Sequence, residues 1–249
     1  PPYAEYVDAI IGEGVRIVET AGNNPREFID RFKRNGITLI HKCTTVRHAL
    51  SAERNGVDIV SIDGFECAGH PGEDDVPNLV LVPLAVRALS IPVIASGGIG
   101  DGRGMAAAFA LGAEGINMGT RFVATHEAPV HPDAKAALVR ATERDTLLIF
   151  RTLRNTSRVL RNAVSEEVVS LERRPEGCSF QELRSLVAGV RGRHAWESGE
   201  INAGVMTAGL AVGLIEDIPS CSELIERTVV DALAHLKRAA GWASRSNAP

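Results

Sequence analysis

The run from Ile91 to Phe122, IPVIASGGIGDGRGMAAAFALGAEGINMGTRF, reads as strand, glycine loop, helix and strand, and it closes on a second glycine turn at Met118-Gly119-Thr120. Strands joined through a helix run parallel, so this segment commits the chain to an α/β sheet. Gly97, Gly98, Gly100, Gly102 and Gly119 remove the Cβ atoms that would keep an anion away from backbone N–H groups. Two such loops on neighbouring parallel strands predict a phosphate cradle of the kind formed after the last two strands of a TIM (β/α)8 barrel.

Upstream, the same alternation recurs. Tyr3 to Gly14 reads as a helix, Val15 to Glu19 as a strand, and Asn24-Pro25 opens a helix that stops near Asn35-Gly36. Ile37 to Cys43, Asp58 to Ile62, Pro92 to Ala95 and Gly115 to Met118 supply further strands, with helices from Thr45 to Asn55-Gly56 and over Leu79 to Leu89. Five strands do not close a barrel of eight, and the chain opens on Pro1-Pro2; the expectation is a barrel without its first three βα units. After Phe122 the pattern predicts helices over Asp133 to Arg144, Ser157 to Glu172, Ser179 to Val190, Ala203 to Leu214 and Ser222 to Ala240, and no strand. The expected division is therefore a barrel part over 1–125 and an appended helical domain over 126–249.

Composition excludes several classes of function. A length of 249 residues suits one barrel with a small appendage, and 45% hydrophobic against 23% charged residues is ordinary globular usage. A net charge of −4 leaves no footprint for nucleic acid, and the basic cluster from Arg151 to Arg161 reads as a solvated helix face. There is no apolar run of the roughly 18 residues a membrane span needs, so a cytoplasmic protein is expected. Cys43, Cys67, Cys178 and Cys221 are widely spaced and read as reduced thiols rather than as a disulfide framework or a zinc site.

The chemistry concentrates after the third strand. Ser61 to Asp75, SIDGFECAGHPGEDD, leaves the strand as a long loop, and strand-end loops are where barrel chemistry sits. His70, between Gly69 and Pro71, offers an imidazole that takes or gives a proton near neutral pH. Lys42 at the end of the second strand is either a surface charge or a fixed cation facing an electron-rich ligand. Asp63 has the same two readings, a surface charge or a ligand hydrogen bond. Glu66, Asp74 and Asp75 match no calcium spacing and read as an acidic rim, so no metal is expected. In INAGVMTAGLAVGLI, from Ile201 to Ile215, Gly204, Gly209 and Gly213 imply close packing against another backbone or a roof over a ligand. Trp196 either caps a pocket or fills a core.

The run HKCTTVRHALSAERNGVDIVSIDGFECAGHPGEDD, followed by IASGGIGDGRG and INMGTRF and by RTLRNTSRVLRNAV and IPSCSELI in the tail, is similar to the nitronate monooxygenase family, formerly called 2-nitropropane dioxygenases. The wording FECAGHPGEDD resembles most closely the branch described as NAD(P)H:quinone reductases. The resemblance implies a TIM barrel that binds FMN. It implies that Lys42, Asp63, Ala68 and Gly69 line the cofactor, that Ser96, Gly97, Gly98, Gly119 and Thr120 hold its phosphate, and that His70 is catalytic.

Two activities follow from that resemblance: oxidation of alkyl nitronates with dioxygen, or reduction of a quinone with NADH or NADPH as a transient electron donor. No G-x-G-x-x-G dinucleotide fold is present, so a nicotinamide would dock over the flavin. Two further readings stay open, since one cradle serves many barrel enzymes: a flavin-free phosphate-binding barrel and a non-catalytic remnant.

Overall fold

Each apolar run that the sequence marks as a strand pairs with the next one along the chain. In the computed structural model, which describes residues 1–246, β1 (Ile17–Thr20), β2 (Thr38–Cys43), β3 (Ile59–Asp63), β4 (Val93–Ser96) and β5 (Gly115–Asn117) form one parallel sheet in sequential order. The crossovers run through α1 (Tyr3–Gly12), which precedes β1, then α2 (Arg26–Arg34), α3 (Val46–Arg54), α4 (Asn78–Ala88) and α5 (Gly102–Ala110), and the short α6 (Thr120–Val123) follows β5. Sequential order with right-handed crossovers sends every connecting helix to one face, the winding of a barrel rather than of a doubly wound sheet.

The sheet is strongly curled. Flat, β1 and β5 would stand four spacings of about 4.8 Å apart, yet Asn117 Nδ2 on β5 donates to Glu19 Oε2 on β1 at 3.4 Å. Along β2, Leu39, His41 and Cys43 are buried beneath the helices, whereas Ile40 and Lys42 are half-buried on the concave side. Two helix starts are fixed by side chains that accept orphan amides: Thr45 Oγ1 from His48 N at 3.1 Å and Asp101 Oδ1 from Gly104 N at 2.9 Å.

The second half differs from the sequence reading. It contains α7 (Pro132–Arg140), β6 (Thr146–Ile149), β7 (Ser157–Leu160), α8 (Ala163–Glu172), α9 (Phe180–Leu183), α10 (Gly189–Ser198) and the long α11 (Cys221–Ser246), with β6 and β7 paired antiparallel. The helix expected over Ser157 to Glu172 is thus a strand followed by a helix. The break is a capping box at Asn162, whose Oδ1 accepts from Ser165 N at 2.8 Å while Ser165 Oγ accepts from Asn162 N at 2.9 Å. The span read as one helix from Ser179 to Val190 is split between α9 and α10.

The helix expected over Ala203 to Leu214 is also absent. Its residues pass as turns, bridge Val159 through Thr207 and end in a 3₁₀ turn at Leu210–Leu214. Each glycine there lies against another backbone: a Cβ on Gly204 would sit 2.4 Å from Arg191 O, one on Gly209 2.8 Å from Glu66 O, and one on Gly213 2.6 Å from Glu143 N. The close-packing reading therefore holds for a loop instead of a helix. The basic cluster is not a solvated helix face either, because Arg158 is buried on β7.

One apolar core lies between the sheet and α1–α5, and two smaller cores build the second half. Trp196 packs into one of the latter. α5 meets α11 through Gly102, where a Cβ would stand 2.5 Å from Asp231 Cβ and 2.7 Å from Thr228 O. Among the described residues no helix is long and apolar enough to cross a membrane.

Candidate functional site

Parallel register carries the polar ends of three strands onto one face. Lys42 pairs with Ser61, and Asp63 pairs with Ser96, so all four project to the concave side at the C-terminal ends of β2, β3 and β4. Lys42 Nζ donates to Ser96 Oγ at 3.3 Å and Ser61 Oγ at 3.4 Å and lies 3.0 Å from Asp63 Oδ1. That ion pair is close in distance but does not have the angles of a hydrogen bond, so Asp63 Oδ1 remains a buried acceptor without a hydrogen-bonded donor.

The two glycine turns share one hollow. A narrow cavity of about 150 Å³ is lined by Lys42, Asp63, Ala68, Ser96, Gly97, Gly98, Gly119 and Thr120, together with Glu66, Cys67, Asn117 and the tail residues Gly209 and Ala211. Lys42, Asp63 and Ala68 also line a wider cavity of about 740 Å³ whose wall includes His70, His41, His48 and Arg154. The larger volume lies within the range of roughly 300–1,000 Å³ of small-molecule sites. His70 is exposed to that cavity. Gly69 lines neither space; it lies in the left-handed region at φ 70°, and its amide and carbonyl both bond to Arg158.

The glycines of the first turn have a reason beyond anion access. Gly97 and Gly98 hold φ 92° and 71°, where a side chain is strained, and a Cβ would meet Cys67 Cβ at 2.8 Å or Glu66 Cβ at 2.9 Å. Gly119 is different: a Cβ there would meet no protein atom within 4 Å. Thr120 Oγ1 accepts from Gly209 N at 2.9 Å, which leaves its own O–H to donate and ties the tail over the turn.

The loop after β3 is held from both sides. Gly64 N donates to Ser96 O at 3.0 Å, Phe65 N to Val76 O at 2.9 Å across the neck, and Leu210 N to Glu66 O at 2.9 Å. Asn78 N donates to Glu66 Oε1 and Oε2 at 3.1 Å, and Asn78 Nδ2 reaches Gly97 O at 2.6 Å. From the β6–β7 turn, Thr156 N and Oγ1 donate to the two carboxylate oxygens of Glu73 at 2.7 Å, and Arg151 pairs with Asp75. Burial pushes the Glu73 carboxyl up, but the Thr156 donors and the nearby Arg151 and Arg154 outweigh it and hold the group below the usual carboxylate range. Of the residues read as an acidic rim, Glu66 and Asp75 thus anchor the loop, together with Glu73.

Two thiols beside the site are inert, and a neighbouring imidazole is buried. Burial, reinforced by Asp63, pushes the thiols of Cys43 and Cys67 up to about 12, so both stay protonated at neutral pH. Burial lowers the pKa of His41, whose Nδ1 is 2.8 Å from Thr20 Oγ1. His70 lines the same cavity as His41 but is exposed where His41 is buried. The tail residues Gly209 and Ala211 were half-legible as a small-residue stripe; the contribution of Asn117, opposite Ser96 in the register, has no signal apart from its strand-end position.

The model of the nitronate monooxygenase family matches residues 2–231. A dehydrogenase of a carboxyl-CoA substrate from Mycobacterium tuberculosis is 33% identical over 270 residues, covering 94% of this chain and 76% of that protein. A probable nitronate monooxygenase of Bacillus subtilis is 41% identical over 131 residues, 50% of this chain and 38% of that protein. The solved structure of FabK from Thermotoga maritima superposes with a TM-score of 0.90 at 37% identity, over 97% of this chain and 76% of that one. With a curled parallel sheet, polar strand ends over one hollow and a family match across most of its length, this chain belongs to the nitronate monooxygenase family of oxidoreductases.

Proposed function

We propose that this chain carries the FMN site of an enzyme that oxidises alkyl nitronates with dioxygen. The observation that carries the reading is that Lys42, Asp63 and Ala68 line both the narrow hollow and the wide cavity, with His70 on the wide one. The residues present fit the cofactor. Asp63 Oδ1 is a buried acceptor waiting for a donor, Gly119 faces unfilled space, and the Ser96 and Thr120 hydroxyls beside it suit a phosphate. Ser96, Gly97, Gly98, Gly119 and Thr120 would hold the phosphate, and Lys42, Asp63, Ala68 and the chain around Gly69 the remainder. When bound, FMN supplies the redox chemistry.

The protein's own residues do the rest. Lys42 is fixed by Ser61, Ser96 and Asp63, so it presents its charge to an electron-rich ligand without reorganising. His70 Nδ1 or Nε2 accepts the α-proton of a nitroalkane, or holds the anion already formed, in a loop whose position is fixed before substrate arrives. A second reading, NAD(P)H:quinone oxidoreduction at the same site, is favoured by the volume of the wide cavity, about 740 Å³, which leaves room for a nicotinamide to dock transiently. In either reading the partner is a small molecule.

Anaerobic stopped-flow on the full-length protein tests both. Rapid bleaching of flavin absorbance by propionate 3-nitronate supports nitronate oxidation, and rapid bleaching by NADH or NADPH supports the quinone reaction. A protein that stays colourless after incubation with FMN refutes both.

A further inference from the structure

We propose that Arg158 is a positioning residue that sets the place of His70 by gripping the segment from Phe65 to Gly69 at both ends. The inference rests on the reading of His70 as the proton-handling group. Arg158 is 4% exposed. Its Nε and Nη2 donate to Phe65 O at 3.3 and 2.9 Å, and its guanidinium carbon stands 4.5 Å from the centroid of the Phe65 ring. Its Nη1 donates to Thr146 Oγ1 at 3.2 Å, which fixes the fork to β6. Its main chain forms the reciprocal bridge to Gly69, with N donating to Gly69 O at 2.6 Å and Gly69 N donating back at 3.1 Å.

The usual reason to bury a guanidinium is a carboxylate partner. Here the fork bonds a carbonyl and a hydroxyl and stacks on a ring. Neutral partners offset the desolvation of a full charge less well than a carboxylate does. What the arrangement does secure is geometry. The stretch from Phe65 to Gly69 contains the cavity-lining Ala68 and delivers the chain directly into His70, and Gly69 in the left-handed region is a natural pivot. Without Arg158, the segment loses its hold at Phe65 O, and the pivot remains tethered only by main chain. A lysine lacks the fork that reaches Phe65 O and Thr146 Oγ1 together.

The test is a double-mutant cycle on full-length protein saturated with FMN, with nitroethane, a neutral nitroalkane whose α-proton His70 would take, as substrate. Arg158→Ala is expected to lower kcat/KM by about 30-fold, since displacement of a reacting group by an ångström costs on the order of 100-fold. The loss should fall mainly on kcat, and millimolar guanidinium should restore much of it. In a His70→Ala background the same change should cost less than about threefold, because a residue that acts through His70 has nothing left to position. Losses that multiply, or an Arg158→Ala enzyme as active as the parent, overturn the proposal. Should Arg158→Ala fail to fold, Thr146→Val, which removes one contact of the fork, decides: a drop of about threefold that vanishes in the His70→Ala background is expected, and no drop or a multiplicative one overturns it. A His70→Ala enzyme as active as the parent overturns the His70 reading itself, and is seen before Arg158 is changed.

Discussion

The half of the chain that forms the parallel sheet and the half that folds over it are built on different rules. From Ile17 to Asn117 each strand pairs with its neighbour in sequence, and each helix caps and packs beside the strands it joins. Beyond Val123 the contacts that matter to the site reach far along the chain: Thr156 to Glu73, Arg158 to Phe65 and Gly69, Gly209 to Thr120. The first half supplies the groups that would touch a ligand, Lys42, Asp63, Ser96 and Gly119. The second supplies the framework that holds the loop carrying His70. A site can therefore be lost from either half, by different routes, and that difference is open to experiment.

The largest effect is expected where the two halves meet. His70→Ala should leave FMN bound yet slow the proton-dependent step by about 100-fold or more, which is roughly 2.7 kcal/mol of barrier; the check is flavin absorbance alongside steady-state turnover with a protonated nitroalkane. Within the sheet half, Gly97→Ala and Gly119→Ala should separate folding from binding. The first forces a side chain into φ 92° and against Cys67, and is expected to cost about 3 kcal/mol in urea unfolding. The second meets nothing, so it should leave the urea midpoint unchanged while weakening FMN binding in a fluorescence titration. Equal destabilisation by both would remove Gly119 from the cradle.

What was legible in the sequence follows the same division. Strands β1 to β5 and their helices could be read because each is a short apolar run bounded by glycine, proline or a cap, and each buries one face locally. The turns at Gly97 and Gly119 were visible together for the same reason. The stretch Ser157-Arg158-Val159-Leu160 misled, since it continues into α8 with no glycine or proline between them, and the break depends on Asn162 and Ser165 acting as a reciprocal cap. The N-x-x-S spacing was the available signal. That Arg158 is buried had none, because its partners Phe65 and Gly69 lie some 90 residues away, as the separation of 93 to Phe65 shows. Ala203 to Leu214 has small residues that pass for a packed helix, yet Gly204, Gly209 and Gly213 are required by backbone contacts made as a loop.

Two caps measure the contrast in stability. Asn162→Ala removes the capping box of α8 and also the bonds from Asn162 Nδ2 to Ile201 O at 2.7 Å and Gly204 O at 2.8 Å, so about 2 kcal/mol should be lost. Thr45→Ala removes a cap alone, and about 1 kcal/mol is expected. Similar values for both would mean that Asn162 does not organise the chain from Ile201 to Gly204.

The smallest effect is a pH dependence confined to the contact between the halves. The Glu73 carboxylate has a folded-state pKa below its unfolded value, so its contribution is fully present above the ordinary carboxylate range and is lost as pH falls through the depressed folded value. Protonation leaves Thr156 N and Oγ1 facing a group that accepts less well, and the loop end near Gly72 is released before the sheet is affected. Relative to the intrinsic exchange rate at each pH, hydrogen exchange at Thr156 N should therefore accelerate on acidification in the parent protein. In Glu73→Gln it should be fast already at neutral pH and nearly independent of pH, after correction for the intrinsic exchange rate. Exchange that accelerates equally in both proteins would place the acid-sensitive contact elsewhere, and would leave Arg158 and the tail's backbone bonds as the tie between the two halves.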